Sequence, residues 1–153
     1  VEVERCGLCD HVQGPVAAVE LVSERREAEE LGFSAIVYPL VKALELVPSF
    51  HVTSASPGRV ETSEFPFVFL RVAPDGLRDV ERLLTSLEMA NQTTRRRWVV
   101  ECTLQRGLLF ILRPRFWKAV LEIDHVDIRE ARQDFKVLAE ILARDVKLSW
   151  WKD

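Results

Sequence analysis

No apolar run in this chain approaches the roughly 20 residues needed to cross a bilayer, so a membrane-spanning helix is not expected. A charged-then-apolar leader with a small-residue cleavage site is not seen either, and the sequence starts at Val1 rather than at Met. Cysteine is scarce: three residues, an odd number without a secretory signal, point to a reducing, cytoplasmic setting and exclude a disulfide framework. Excess positive charge is missing. The formal net charge of −3 gives no global pull on nucleic acid and leaves room only for a local basic patch. Asparagine and glutamine are few in a chain that is 29% charged, a composition that suits a thermophile. There is no G-x-S-x-G, no Walker loop, no H-E-x-x-H and no G-x-G-x-x-G, which removes the chemistry those signatures announce.

What is present is an ordinary globular composition. The chain has 153 residues, 48% of them hydrophobic, enough for a sizeable core in one domain. No internal repeat, low-complexity tract or linker is visible, so the expectation is a single α+β (α/β) domain over 1–153, a mixed β-sheet packed by helices.

The punctuation supports that class. Val16–Val22 reads as a buried strand, with a helix start as the alternative. Ser23 is placed to cap a charged helix, Glu24–Leu31, that Gly32 closes. Ser34 is placed to cap the next helix, the alternative being a helix that starts later with Pro39 in its first turn, and Pro48 ends the segment. Phe50–Ala55 is a strand, and Phe67–Val72 is apolar enough to be a strand buried on both faces. Leu77, Val80, Leu83, Leu84, Leu87 and Ala90 follow a helical stripe. Trp98–Leu104 and Leu108–Arg113 form a hairpin with Gly107 near its turn, and Lys118–Ile123 reads as a further strand. Asp127 with Glu130 has the spacing of a capping box before a final amphipathic helix. Trp150 and Trp151 either pack the tail onto the core or mark a contact surface.

Three clusters carry candidate chemistry. Cys6 and Cys9 form a C-x-x-C turn beside His11, half of a zinc knuckle, against the plainer reading of two free thiols. Arg95, Arg96 and Arg97, with Arg106, Arg113 and Arg115 and with Trp98 and Trp117 near by in sequence, suit RNA phosphates and unstacked bases; the plainer reading is a charged hairpin edge that blocks sheet-to-sheet pairing. The third is Phe50–Val60. Here a strand containing His51, Ser54 and Ser56 runs into Pro57 and Gly58 and leaves with Arg59. Ser54 and Ser56 share a side of an alternating strand, so two hydroxyls and a guanidinium can converge on one anionic or carboxylate group; a hairpin with a solvated arginine is the alternative.

The segments Ala35–Leu40 and Phe50–Val60 resemble the archaeal and eukaryal wybutosine-synthesising protein family, in which a helix with a Pro-Leu pair precedes a strand ending in Thr-Ser-Ser-Cys-Ser-Gly-Arg-hydrophobic. Thr53, Ser54, Gly58, Arg59 and Val60 match that motif, whereas Ala55, Ser56 and Pro57 depart from it, Ser56 standing where the family has cysteine. The order of elements from Phe67 to Arg113 is also similar to the family's C-terminal half, while its Trp…His segment is not seen. The resemblance implies an α/β fold and transfer of a methyl group from S-adenosylmethionine to a wyosine-precursor base in tRNA. It carries Ser54, Gly58 and Arg59 over as active-site residues. Beside the resemblance, the residues themselves add Ser56 to Ser54 and Arg59 as a catalytic candidate, and His51 and Arg95–Arg97 to Gly58 as candidate substrate contacts. The alternatives are a non-enzymatic interaction or regulatory domain, dimeric through the hairpin edge or the terminal tryptophans, and a small zinc-containing nucleic-acid-binding domain built on Cys6 and Cys9.

Overall fold

A computed structural model describes residues 25–62, 64–104, 107–115, 124–148 and 150. The expected strands at Val16–Val22 and Lys118–Ile123, the Cys6–Cys9 turn, Arg106, Trp117 and Trp151 lie outside the described residues. Helix α1 covers residues 25–31 and α2 Tyr38–Leu44; strands β1 (Phe50–Ser56) and β2 (Phe67–Val72) follow. A 3-10 turn, Pro74–Gly76, leads into α3 (Leu77–Ala90), then come β3 (Arg97–Leu104), β4 (Leu108–Arg115) and α4 (His125–Leu148).

Local chemistry accounts for most boundaries. Gly32 sits at φ +80, and the amides of Gly32 and Phe33 bond back to Glu29 O and Ala28 O, the paired closure of a Schellman motif. The Ser34 hydroxyl accepts the Ile36 amide and its carbonyl accepts those of Val37 and Tyr38, so the turn it caps delays α2 until Tyr38, with Pro39 in the first turn. At α4 the capping box falls three residues earlier than the Asp127–Glu130 spacing suggests. Asp124 Oδ1 accepts the amides of Val126 and Asp127, and Asp127 Oδ2 accepts the Asp124 amide in return.

The four strands form one antiparallel sheet in the order β1-β2-β4-β3. The class is α+β, as expected, but among the described strands every pairing is antiparallel rather than mixed. Because β3 lies beyond β4, the β2-α3-β3 connection brackets β4 between two strands that run the same way. The order helix-strand-strand occurs twice, α2-β1-β2 and α3-β3-β4, and the strand order is unchanged when the two hairpins are exchanged. Aligning Leu70-Arg71 of β2 with Leu112-Arg113 of β4 passes the twofold relation through the directly paired Phe69 and Ile111. The sequence shows no such repeat because the two halves share only apolar character and direction.

The helices meet one face of the sheet. Val52, Val68, Leu70, Leu112 and Trp98 join Leu40, Leu44, Leu83, Phe135 and Leu138 in a single core. Trp150 closes its far side, its ring edge-on to Phe50 with centroids 6.1 Å apart and its Nε1 donating to Ser86 Oγ at 3.3 Å. Trp150 therefore packs onto the core instead of marking a contact surface. The expectation that β2 is buried on both faces is overturned. Phe67 and Phe69, with Val99, Leu109 and Ile111, are half-buried on the opposite face and stand outside the core cluster, because no described helix covers that side. Leu84, placed on the core stripe of α3 from spacing alone, is 44% exposed.

Candidate functional site at the β1 and β3 ends of the sheet

The Phe50–Val60 stretch folds as β1 followed by a tight turn. A bulge at Thr53, between the Val52–Leu70 and Ser54–Phe69 pairs, shifts the alternation by one residue. Ala55 therefore meets the core, while Ser54 and Ser56 share the outer side, as strand alternation predicts. Ser54 is exposed. Ser56 Oγ accepts the Gly58 amide at 3.1 Å, leaving its own proton to donate. Gly58 is obligatory by two criteria. It sits at φ +78, and a Cβ there would lie 2.5 Å from Glu64 O.

The guanidinium that reaches this turn is not that of Arg59. Arg132 of α4 donates from Nε to Pro57 O at 2.8 Å and from Nη2 to Gly58 O at 2.6 Å. Arg59 pairs by its backbone with Glu64, and its side chain stays 71% exposed with Nε 3.7 Å from Glu64 Oε2. No spacing rule links Arg132 to the turn, so sequence reasoning had no signal for it. His51, on the outer face and exposed, has Nδ1 3.6 Å from Glu45 Oε1.

The arginine run divides into three roles. The amides of Arg95 and Arg96 donate to the two oxygens of Asp134 at 2.7 and 2.9 Å, and Trp98 Nε1 donates to the same carboxylate at 2.9 Å. Burial pushes the Asp134 carboxyl above its ordinary range, and these three donors oppose the shift. The Arg96 guanidinium is bound to Asp127 at 2.6 Å and Glu130 at 2.9 Å, so it ties the β3 entrance to α4. Arg95 and Arg97 are exposed. Trp98, considered as a stacking surface, is buried against Phe135 and serves the core.

The turn and the arginine run sit on the two outermost of the described strands but at the same end of the sheet, since Ser56 pairs with Phe67 and Arg97 with Arg115. Three inter-strand spacings of roughly 4.8 Å put the two edges about 14 Å apart. One helix fixes both: Arg132 holds the turn, and Asp127, Glu130 and Asp134 hold the arginine segment.

Among the described residues no group of three or more His, Cys, Asp or Glu could hold a metal ion, and Cys102 is an exposed free thiol. No helix among them is long and apolar enough to cross a membrane. Neither a protein-family model, nor a curated protein, nor a solved structure matches the chain.

Proposed function

We propose that this chain is a tRNA-modification protein of the kind its Thr53–Val60 motif resembles, taking S-adenosylmethionine and a precursor base in tRNA as partners in a cytoplasmic setting. The observation that supports the reading is that the Ser54–Arg59 turn and the Arg95–Arg97 segment share one end of the sheet. Of the motif residues, Arg59 fits a carboxylate-bearing ligand: its fork is largely exposed, and the neighbouring Ser54 and Ser56 hydroxyls can donate. S-adenosylmethionine, when bound, supplies the methyl group; the residues at this turn bind and orient. Arg95 and Arg97 meet phosphates on the far edge.

A second reading, RNA binding without methyl transfer, draws on the Arg132 clamp. Two carbonyls of the turn are occupied by a protein side chain, as a purely structural turn requires.

Calorimetric titration with S-adenosylmethionine and with bulk tRNA separates the two. Binding of both, with Arg59→Lys weakening the S-adenosylmethionine arm at unchanged melting temperature, supports the enzyme. Binding of tRNA alone supports the second reading. Binding of neither removes both.

A further inference from the structure

Both peptide units that flank the Gly58 α-carbon are held at their two ends. In the Pro57–Gly58 unit the carbonyl accepts Arg132 Nε at 2.8 Å, and the amide donates to Ser56 Oγ at 3.1 Å. In the Gly58–Arg59 unit the carbonyl accepts Arg132 Nη2 at 2.6 Å, and the amide donates to Glu64 O at 3.1 Å. The amide partners belong to the turn itself, whereas Arg132 comes from α4. Ala131 and Phe135 of that helix are fully buried, so the guanidinium is carried by an element whose place is fixed by core packing.

A cation on a carbonyl does more than occupy it. It draws electron density towards the oxygen and makes the N–H of the same peptide a stronger donor, so hydrogen bonds in series strengthen one another. Arg132, the Pro57–Gly58 peptide and the Ser56 hydroxyl form such a series. One lone pair of Ser56 Oγ is taken by the Gly58 amide, so its proton points away from that amide and is the part left to donate. The clamp takes up carbonyls only. It leaves to a ligand the Ser56 proton and the Arg59 side chain, which is 71% exposed.

We propose that Arg132 is the positioning residue of this site. Through the Gly58 amide it orients and polarises the Ser56 hydroxyl, which donates to a ligand carboxylate beside the Arg59 fork. The proposal rests on the first reading of the turn given above, and it adds a residue of α4 that acts on the ligand without touching it.

The test is a double-mutant cycle on the full chain, with S-adenosylmethionine as the carboxylate-bearing probe. Calorimetric titration is run on wild type, Arg132→Ala, Ser56→Ala and the double variant, well below the melting temperature of each. The expected result is that Arg132→Ala weakens binding by about fivefold or more in the wild-type background. In the Ser56→Ala background the same change should alter affinity by less than about twofold, because the group it acts through is gone. Arg132→Lys keeps a charge but not the fork, so its affinity should lie between those of wild type and Arg132→Ala. If Arg132→Ala does not fold, the cycle is run with Arg132→Lys, with the same non-additivity expected. If the folded Arg132 variants bind as wild type does, or if the two losses simply multiply in the double variant, Arg132 only supports the fold; the proposal is then overturned while the reading of the turn stands. If wild type binds no S-adenosylmethionine, both fall.

Discussion

Arg132 and Gly58 are 74 residues apart, yet Arg132 Nη2 donates to Gly58 O at 2.6 Å while its Nε holds the preceding carbonyl of Pro57. Hydrogen bonds from a charged donor contribute about 1.5–3 kcal/mol each when well made. Arg132→Ala is expected to lower unfolding free energy by about 2 kcal/mol, because the carbonyls regain water in part. Arg132→Lys should recover only part, since a point charge cannot span two carbonyls as a planar fork does. Urea denaturation of the two variants checks the order.

Gly58 and Gly32 make a paired test. Both adopt left-handed backbone, at φ +78 and +80, but a Cβ meets Glu64 O at 2.5 Å in the first and nothing within 4 Å in the second. Gly32→Ala should cost about 1–2 kcal/mol, the conformational term alone. Gly58→Ala should cost clearly more, because the Arg59–Glu64 bridge must also shift. Thermal melts of the two variants distinguish the cases.

Asp134 makes stability depend on pH in a stated direction. Burial raises its folded-state pKa above the ordinary 3.8, so between those two values the folded chain holds a proton the unfolded chain has lost. From this group, stability falls as pH rises through that window, and the loss is complete above the folded pKa. Asp134→Asn should abolish that component. At neutral pH it should destabilise the fold by about 1–3 kcal/mol, since an amide cannot accept from all three donors now on the carboxylate. Denaturation curves from pH 3 to 8 (roughly the range over which carboxylates titrate) for wild type and variant show it.

Arg96→Ala should be a folding variant before it is a binding variant. Its guanidinium is the partner of Asp127, whose side chain is 3% exposed, and of Glu130. Leaving Asp127 buried without that partner should cost about 3 kcal/mol, the low end for a broken buried pair because Glu130 keeps contact with water. A binding deficit in this variant at full stability would show that the clamp is dispensable and that Arg96 contacts ligand directly.

Leu83 and Leu84 separate core from surface on α3. Leu83 is 1% exposed and Leu84 44%. Leu83→Ala should cost about 2–5 kcal/mol. Leu84→Ala should change stability by at most about 0.5 kcal/mol. Chemical denaturation of both fixes the phase of the helix.

The sequence by itself determined the elements whose causes are local. Gly32 closes α1, Pro39 opens α2, Gly107 lies at the β3–β4 turn, and the Leu77–Ala90 stripe gives α3, because glycine and proline restrict one or two dihedrals and apolar spacing follows helical period. It also determined that Ser54 and Ser56 share a side, since a bulge upstream of both leaves their relation intact. Only the tertiary structure decided which side that is, and that β2 turns Phe67 and Phe69 outward, because a run of apolar residues does not say whether one face or two will be covered. The strand order set the Ser56–Gly58 turn and Arg97 at one end of the sheet, and α4 crossing that end brought Arg132 to the turn and Asp134 to Trp98. Those contacts join residues tens of positions apart, and their partners are chosen by how helix and sheet pack, which no spacing along the chain encodes.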